Sequence, residues 1–332
     1  MIKVGFITKS LTDGNAQRGV GFYAKRLLPK LKEFAKDFDI EILEIDNSLK
    51  IENCKLKIIH YPYFDLFFHT LPIYRKTKTV VTVHDVIPLE FPNIYKPGIK
   101  GRLNLYLQGL ALQTTDAIIT DSYYSLKNIH KYLGVSHSKL KLIYLAASEK
   151  YKKISKPKNK FNLPKDFVLY VGDVNYNKNI PGLIKAASLA QLPLVMVGKQ
   201  ATEIETMDLN HPELRHLKDL DFKNVIRLGF VSDEDLVTIY NLAMVYCQPS
   251  YSEGFGLNPL EALACGTPVA SSNCGSLPEI LGDDAIYFDP KDISQIANAI
   301  LKAKNSKIDF KSNFTWDKTA KETLVVYKSL CP

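Results

Sequence analysis

Two glutamates that stand eight residues apart, Glu253 and Glu261, are the most informative chemical feature of this sequence. Glu253 lies at the mouth of a glycine-containing turn, 254–256, and Glu261 lies inside an apolar stretch that predicts a helix over 256–265. Eight residues span just over two helical turns, so both carboxylates can point toward one ligand. Because a carboxylate accepts two hydrogen bonds in its plane, it suits the vicinal hydroxyls of a sugar. Glu253 could then hold a sugar, and Glu261 the ribose diol of a nucleotide.

The same turn is suited to an anion. Its glycines let the backbone approach a ligand closely, and the free N–H groups at the helix start favour negative charge. Lys178, between a predicted strand and a predicted helix, adds a compact positive charge that can neutralise a phosphate. We therefore predict that a phosphorylated ligand contacts Lys178 and the turn, namely Gly254, Phe255, Gly256 and Leu257.

Gly19 and Gly21 open the first predicted helix of the N-terminal half. With Ala24 they spell a dinucleotide-binding fingerprint, for which Glu44 or Asp46 could serve as the ribose partner. The first strand, however, is predicted to end near Thr8, and a fingerprint turn follows its strand at once. A long glycine-ended loop beside a ligand fits this spacing better, and a plain flexible loop is the structural alternative.

His84 ends a predicted buried strand and is followed by Asp85. A lone histidine is more often a hydrogen-bonded structural residue. Its place at the carboxyl edge of a predicted parallel sheet nevertheless favours a role in a site, because ligands bind at that edge.

Metal dependence would require an Asp-x-Asp pair in a loop near the phosphates. The two candidates, Asp219 with Asp221 and Asp233 with Asp235, flank predicted helices and are typical of surface or capping residues. We therefore predict no metal and no cofactor besides the substrate.

Short β-branched runs alternate with helical patterns along both halves, which predicts two parallel sheets covered by helices. The predicted strands are 2–8, 39–45, 56–61, 79–84, 117–121, 140–145, 167–172, 192–198, 224–229, 244–249, 267–271 and 285–288. The predicted helices include 20–36, 99–114, 123–133, 180–190, 233–242, 256–265, 276–282, 292–304 and 316–329. A Lys- and Pro-rich stretch interrupts the pattern and predicts a linker. The predicted divisions are an N-terminal domain 1–148, a linker 149–165, a C-terminal domain 166–315 and a terminal helix 316–332.

The segment from Glu253 to Glu261 resembles the Glu-x7-Glu signature of the retaining GT-B glycosyltransferases of family four, the glycosyl transferases group 1. The resemblance covers nearly the whole chain. The segments beginning at Val81, Gly229 and Tyr287 and the segment 314–316 resemble the mannosyl- and rhamnosyltransferase branch. The resemblance implies a GT-B fold, in which two Rossmann-like doubly wound parallel-sheet domains face each other across a cleft. The N-terminal domain would bind the acceptor and the C-terminal domain the nucleotide sugar.

The resemblance also implies a role for each site residue. His84, Lys178 and Glu253 would be catalytic, with His84 contacting the donor sugar, and Asp85 would bind the acceptor. Attack by the acceptor would occur on the front face, since no side chain is an obvious nucleophile. The remaining donor-binding residues would be Gly19, Gly21, Asn177, Phe230, Val231, the turn 254–257 and Glu261.

The sequence departs from the family pattern beside Lys178. The family usually places Arg or His where Asn177 stands, and often a basic residue where Asp173 stands. Phosphate stabilisation would then depend on Lys178, on helix-terminus amides and on a further basic residue, for which Arg18 is a candidate. The donor is expected to be GDP-mannose, ahead of dTDP-rhamnose and UDP-hexoses.

The chain of 332 residues carries a net charge of +8 that sits entirely in its first half. Residues 1–150 hold 22 Lys and Arg against 14 Asp and Glu, whereas 151–332 hold 21 of each. No nucleic-acid module accompanies this charge, which favours a glycan or lipid-linked acceptor and peripheral contact with an anionic membrane. A solvated surface without a partner is the alternative. The helix near 22–36 could lie on a membrane or pack in the core.

Five cysteines without metal-ligand spacing predict reduced thiols in a cytoplasmic protein. The N-terminus is typical of a core strand rather than a signal peptide, and no apolar run is long enough to span a bilayer. Peripheral attachment at the inner membrane face would be compatible with a chain that has neither a signal peptide nor a membrane-spanning segment.

Two other functions fit the residues. A nucleotide-sugar epimerase of similar fold would use the donor without an acceptor. A non-catalytic carbohydrate-binding module would keep the fold without transferring a sugar. Asn177 and Asp173 are the residues that support this alternative.

Overall fold

Strands alternate with helices twice along the chain, and each series builds its own sheet. The computed structural model describes residues 1–11, 19–46, 55–306, 308 and 310–332. These residues form two units. Unit 1 comprises Met1–Glu90, Lys96–Ala146 and Phe314–Pro332, and unit 2 comprises Phe91–Tyr95 and Ala147–Asn313. The stretch 149–165, predicted as a linker, lies within the range of unit 2; the acceptor and donor roles of the two domains stay predictions.

Unit 1 contains a six-stranded parallel sheet in the order β2-β1-β3-β4-β5-β6. Its strands are β1 (Ile2–Ile7), β2 (Ile40–Ile45), β3 (Ile58–Tyr61), β4 (Lys78–Thr82), β5 (Ala117–Thr120) and β6 (Leu140–Leu142). Its first helices are α1 (Gly19–Phe34), α2 (Ile87–Glu90), α3 (Ile99–Gln113) and α4 (Tyr123–Leu133). Strand β5, which lies between β4 and the edge strand β6, is buried at every position, as expected where helices cover both faces of a sheet.

Unit 2 contains a second parallel sheet, in the order β12-β11-β10-β7-β8-β9. Its strands are β7 (Val168–Val171), β8 (Leu194–Val197), β9 (Val225–Leu228), β10 (Val245–Gln248), β11 (Val269–Ser272) and β12 (Ala285–Phe288). Its helices are α5 (Ile180–Leu189), α6 (Asp233–Leu242), α7 (Leu257–Ala264), α8 (Leu277–Leu281) and α9 (Ile293–Ala303). The core of the unit lies between β7, β8 and β10 on one side and α5 and α9 on the other.

The terminal helix α10 (Trp316–Leu330) belongs to unit 1. Tyr327 donates or accepts a hydrogen bond with His60 Nδ1 at 2.5 Å, and His60 Nε2 lies 2.9 Å from Thr82 Oγ1. His60 is wholly buried, and burial lowers its pKa to about 3. A neutral histidine therefore links α10 to β3 and β4 inside the unit.

The apolar face of α1 packs in the core. Leu27 and Leu31 are fully buried and Leu28 is nearly so. Of the two alternatives for this helix, the structure supports core packing, because the residues that would have to enter a membrane already contact the sheet.

The predicted fold class, two Rossmann-like doubly wound parallel-sheet domains, is confirmed. No helix among the described residues is long and apolar enough to cross a bilayer. The described cysteines, Cys247, Cys265, Cys274 and Cys331, are free thiols, and Cys54 lies outside the described residues.

Candidate functional site

The strand order of unit 2 reverses between β7 and β10, which are neighbours in the sheet. Loops that leave the carboxyl ends of two such strands run in opposite directions and open a crevice that ligands occupy. The loop after β7 carries Lys178, and the loop after β10 carries Glu253 and the turn 254–256. The topology thus brings together the two charged residues that the sequence placed 75 positions apart.

Lys178 and Glu253 form an ion pair. Lys178 Nζ donates to Glu253 Oε1 at 2.7 Å and to Oε2 at 2.8 Å. Oε1 also accepts from Gln248 Nε2 at 2.8 Å and from Ser250 Oγ at 2.6 Å. Among the described residues, Oε2 has Lys178 as its only hydrogen-bond donor. One carboxylate oxygen is therefore fixed by neutral donors from the end of β10 and from the following loop, and the lysine donates to both oxygens.

Glu261 lies in the middle of α7 and is nearly buried, with 4% of its surface exposed. The pKa of Tyr246 is raised well above its ordinary range, mainly because the phenol is buried. Nearby negative charges, which include Glu253 and Glu261, raise it further. Both predicted carboxylates therefore act on the same buried phenol at the end of β10. Tyr246 donates its hydroxyl hydrogen to Gln248 Oε1, so this phenol is linked to the Glu253 network.

Gly256 caps the N-terminus of α7 with a left-handed backbone, at a φ of 97°. A Cβ at this position would lie 2.7 Å from Leu277 Cδ2 on α8, but it is the left-handed backbone that requires glycine here. Gly254 and Phe255 are buried, and Leu257 begins the helix. The predicted turn thus exists as a tightly packed entrance to α7.

Gly275 and Ser276, which were not predicted as site residues, support this turn. A Cβ on Gly275, whose φ is 67°, would lie 2.6 Å from the backbone nitrogen of Glu253. Ser276 Oγ donates to the carbonyls of Glu253 at 3.1 Å and Phe255 at 2.9 Å. The Gly-Ser pair before an apolar helix was the available signal, but sequence alone did not show which loop it touches.

Asn177 holds the loops of unit 2 together. Its Oδ1 accepts from the Tyr95 hydroxyl at 3.0 Å, and its Nδ2 donates to the carbonyl of Ser252 at 3.0 Å. Its carbonyl accepts from Tyr251 N at 2.7 Å. An arginine or histidine in this buried position could not reproduce the amide contacts, which gives a physical reason for the departure from the family pattern. Its assignment to donor binding stays a prediction.

Phe230 and Val231 follow β9 at the edge of the sheet, two strands away from β7. Phe230 is more than half exposed and Val231 is partly buried. No described contact joins them to the Lys178–Glu253 pair, so their predicted contact with the nucleotide base stays untested.

In unit 1, His84 follows β4 and meets Asp121, which follows the adjacent strand β5. His84 Nδ1 lies 2.5 Å from Asp121 Oδ2, and Nε2 lies 3.2 Å from the carbonyl oxygen of Pro62. The ring of Tyr23 packs edge-to-face against the imidazole, with ring centroids 4.7 Å apart. Asp121 was not predicted as a site residue, although its place at the end of a neighbouring predicted strand was a usable signal.

These partners favour the protonated form of His84. A carbonyl oxygen can only accept, and an ionised carboxylate can only accept, so both ring nitrogens must donate. Burial acts to lower the pKa of His84, but the charge and hydrogen bond of Asp121, the charge of Asp85 and the Pro62 carbonyl outweigh it and raise that pKa. The hydrogen-bond geometry and the raised pKa therefore both favour the imidazolium form of His84 at the carboxyl edge of the unit 1 sheet.

Three further predicted site residues belong to unit 1. Asp85 is partly buried and accepts a hydrogen bond from Ile87 N at 3.0 Å, which starts α2. Gly19 begins α1 with open space around it, and Gly21 is buried in the first turn of that helix. Arg18 and the rest of the loop 12–18 lie outside the described residues.

Within the described ranges, no group of three or more histidine, cysteine, aspartate or glutamate residues could hold a metal ion. Asp221 accepts from Lys223 N in a surface turn. Ser232 caps α6 by accepting from Asp235 N at 3.2 Å. The aspartates of both Asp-x-Asp pairs therefore lie in turn and capping segments.

Two family models match the chain. The model of glycosyl transferases group 1 matches residues 151–323, and the model of glycosyltransferase family 4 matches residues 17–147.

The serotype-specific mannosyltransferase WbdA of Escherichia coli is 31% identical over 268 residues, which cover 73% of this chain and 32% of that protein. The chain thus spans about a third of the length of that relative. The O-antigen chain mannosyltransferase B of E. coli is 29% identical over 81% of this chain and 75% of its own length. The structure of Anabaena Alr3699/HepE in complex with UDP and glucose shares the fold, with a TM-score of 0.65 and 16% identity over 99% of this chain and 95% of that one.

Proposed function

Because this chain belongs to the glycosyl transferases group 1 family, we propose that it transfers a hexose from a nucleoside-diphosphate sugar to a hydroxyl group of a glycan or lipid-linked acceptor. The ion pair of Lys178 with Glu253 is the observation that carries this proposal. It joins a cation suited to a diphosphate with a carboxylate suited to sugar hydroxyls, at the switch point of a doubly wound sheet.

Donor binding would exchange the partners of this pair. The diphosphate would take the Lys178 ammonium, and Glu253 Oε2 would then accept from the sugar hydroxyls. Glu253 would not be left without support, since Gln248 and Ser250 still donate to Oε1. Such an exchange of partners costs little free energy, because both the ammonium and the carboxylate remain bound to charged or polar groups before and after it.

The reaction itself breaks the bond between the anomeric carbon and the diphosphate oxygen, whose electron pair leaves with the diphosphate. The acceptor oxygen forms the new bond on the same face of the sugar, and its proton passes to the departing phosphate. Lys178 and the amides at the start of α7 would stabilise the negative charge that develops on the leaving group. Retention of configuration would follow from attack on that face.

His84 would contribute a second fixed positive charge. Its proximity to Asp121 and to the Pro62 carbonyl supports an imidazolium rather than a general base, since a doubly protonated ring cannot accept a proton. We therefore propose contact with the donor sugar, and we assign acceptor contact to Asp85. Glu261 would hold the ribose diol.

GDP-mannose is the proposed donor. The support is the similarity to two proteins described as mannosyltransferases, at 31% and 29% identity. The basic unit 1 supports an acceptor on a lipid carrier and peripheral contact with an anionic membrane.

The test is nucleotide release from GDP-mannose, GDP-fucose, dTDP-rhamnose, UDP-glucose and UDP-N-acetylglucosamine, measured with the full chain, with Glu261→Ala and with Glu234→Ala. Glu234 is an exposed glutamate in the first turn of α6 and serves as the matched control. We expect slow release of GDP from GDP-mannose that Glu261→Ala abolishes and Glu234→Ala retains.

Two results would contradict the proposal. Failure to bind any of the five donors, by thermal shift as well as by turnover, would favour a non-catalytic module. Conversion of a donor into its sugar epimer without nucleotide release would favour an epimerase.

A further inference from the structure

Helix α3 carries apolar residues on two opposite faces. The face that includes Gln108, Ala111 and Leu112 is buried in unit 1. The other face carries apolar side chains spaced four, three and four residues apart, which places them in one stripe along the helix. These side chains are between 44% and 92% exposed and are Ile99, Leu103, Tyr106 and Leu110.

The loop before β4 binds the buried side of α3. Gln108, buried in α3, accepts from the backbone nitrogens of Thr70 and Leu71 at 2.9 and 2.8 Å. Asn104 donates to the carbonyl of Phe67 at 2.8 Å, and Arg75 donates to the carbonyl of Ala111 at 2.6 Å. The loop is therefore bound alongside α3 over about two turns of the helix.

Three more exposed apolar side chains lie on this loop, namely Phe68, Ile73 and Tyr74. They do not belong to the stripe, and what we call the α3 surface is the stripe alone, defined as Ile99, Leu103, Tyr106 and Leu110. An apolar surface of this kind on a water-facing unit marks an interaction site.

The charged residues on α3 itself all have one sign. The segment 96–115, which contains α3, has three Lys or Arg residues and no aspartate or glutamate. On α3, Lys100 and Arg102 flank the stripe and are exposed. Apolar side chains bordered only by basic ones suit the interface of an anionic bilayer, where the chains enter the acyl boundary and the cations meet the headgroups.

We infer that the α3 surface docks unit 1 on an anionic lipid bilayer. The inference specifies the membrane contact proposed above, and it depends on that part of the proposal alone. It also replaces α1 as the helix that meets lipid, because the apolar face of α1 is buried. A second copy of the chain is a poorer occupant, since two such surfaces would bring like charges together.

The experiment is co-sedimentation of the full chain with vesicles of phosphatidylcholine, with and without phosphatidylglycerol. We expect binding that needs the anionic lipid and weakens with salt. Leu103→Glu with Tyr106→Glu should lower the partition coefficient on the order of tenfold or more, since two apolar contacts are replaced by anions. Lys100→Gln with Arg102→Gln should lower it roughly fivefold for each charge removed.

Matched controls separate this surface from general effects. Leu189→Glu and Val325→Glu change exposed apolar residues elsewhere and should bind as the unchanged chain does. Lys127→Gln with Lys131→Gln removes two charges from α4 and should have the smaller effect. Nucleotide release by every variant is measured in parallel, so a failed membrane inference is distinguishable from a failed glycosyl transfer.

Tyr106→Trp keeps the apolar character and tests the contact without risk to folding. Its fluorescence should be quenched by brominated phosphatidylglycerol vesicles, beyond the quenching of Trp316, which is buried. No vesicle binding by the unchanged chain, equal binding by Leu103→Glu with Tyr106→Glu, or no added quenching at position 106 would overturn the inference. So would a concentration-dependent dimer that the α3 variants abolish.

Discussion

The two sheets each place a buried carboxylate beside a cation at their carboxyl edge, but the two ion pairs are built differently. In unit 2, Glu253 accepts from Lys178 and also from two neutral side chains, Gln248 at the end of β10 and Ser250 in the following loop. In unit 1, Asp121 binds His84 through Oδ2, while its buried Oδ1 has no hydrogen-bond partner among the described residues. One carboxylate has alternative donors and the other depends on its cation.

This difference determines which cation can be released to a ligand. Lys178 can leave Glu253 for a phosphate, because the carboxylate remains hydrogen-bonded through Oε1. If His84 left Asp121, a charge would stay buried without compensation, which is costly. The Lys178–Glu253 pair is therefore suited to opening when a ligand binds, whereas the His84–Asp121 pair is suited to staying closed.

The largest expected effect is that of Lys178→Ala. We expect kcat for glycosyl transfer to fall roughly 10²–10³-fold, as when one charge-stabilising group is removed from an active site. The free energy of unfolding should fall by only about 1–2 kcal/mol, since Gln248 and Ser250 still support Glu253. Steady-state kinetics and thermal unfolding measure the two effects. Lys185→Ala, an exposed lysine on α5, is the control, and a Lys178→Ala variant with unchanged kcat would refute the exchange.

Gly275→Ala should come next. The added Cβ would meet the backbone of Glu253, in a left-handed conformation that alanine rarely adopts. We expect a loss of about 1–3 kcal/mol in the free energy of unfolding, measured by urea denaturation, together with reduced kcat. Gly109→Ala in α3, where a Cβ meets open space, should instead be neutral or stabilising by up to about 1 kcal/mol. Equal results for the two glycines would show that the turn is not fixed by this contact.

Asp121→Asn tests whether the protonated form of His84 depends on the Asp121 carboxylate. Without the carboxylate charge, burial should dominate and the pKa of His84 should fall below its ordinary value, as followed by NMR titration of its ring protons. Because the pair raises the pKa of His84 in the folded chain, its stabilisation is complete below the ordinary histidine pKa and is lost as pH rises through the raised value. The stability difference between the two proteins should therefore be largest at mildly acidic pH. Asp85→Asn should shift the titration less, and an unshifted His84 in Asp121→Asn would contradict the assignment.

The smallest effect should come from an exposed pair. Lys32 on α1 forms an ion pair with Glu44 on β2, and both side chains are about half exposed. We expect Lys32→Gln to change the free energy of unfolding by less than about 1 kcal/mol and to leave kcat unaltered. If Lys32→Gln lowered the free energy of unfolding more than Asp121→Asn does, burial would not be what makes the His84–Asp121 pair the more stabilising of the two.

The sequence predicts most of the elements that position the site. The run Phe167–Gly172 contains β7, and the predicted helices at 99–114 and 316–329 differ from α3 and α10 by one residue each. These elements were readable because their core faces are continuous apolar runs or regular stripes. The 3₁₀ turns between 199 and 217 were not predicted, since short turns leave no periodic pattern.

The site was predictable where chemistry and local spacing coincide, as for Glu253, Glu261 and Lys178. It was not predictable where the partner comes from another strand. Asp121 lies 37 residues from His84, and Gly275 lies 22 residues from Glu253. Which carboxylate binds which cation depends on strand order, and one sequence does not display that order directly.

The position of α10 has a consequence for the order in which the molecule can assemble during synthesis. Tyr327 on α10 binds His60 in unit 1, and the whole of unit 2 lies between them in the chain. At typical elongation rates the ribosome needs roughly 10–35 s to pass from the end of β6 to α10. During that interval unit 1 lacks the helix that covers one of its sides, while unit 2 is completed. A stop codon before α10 would therefore damage unit 1, which is made first, and leave unit 2 intact.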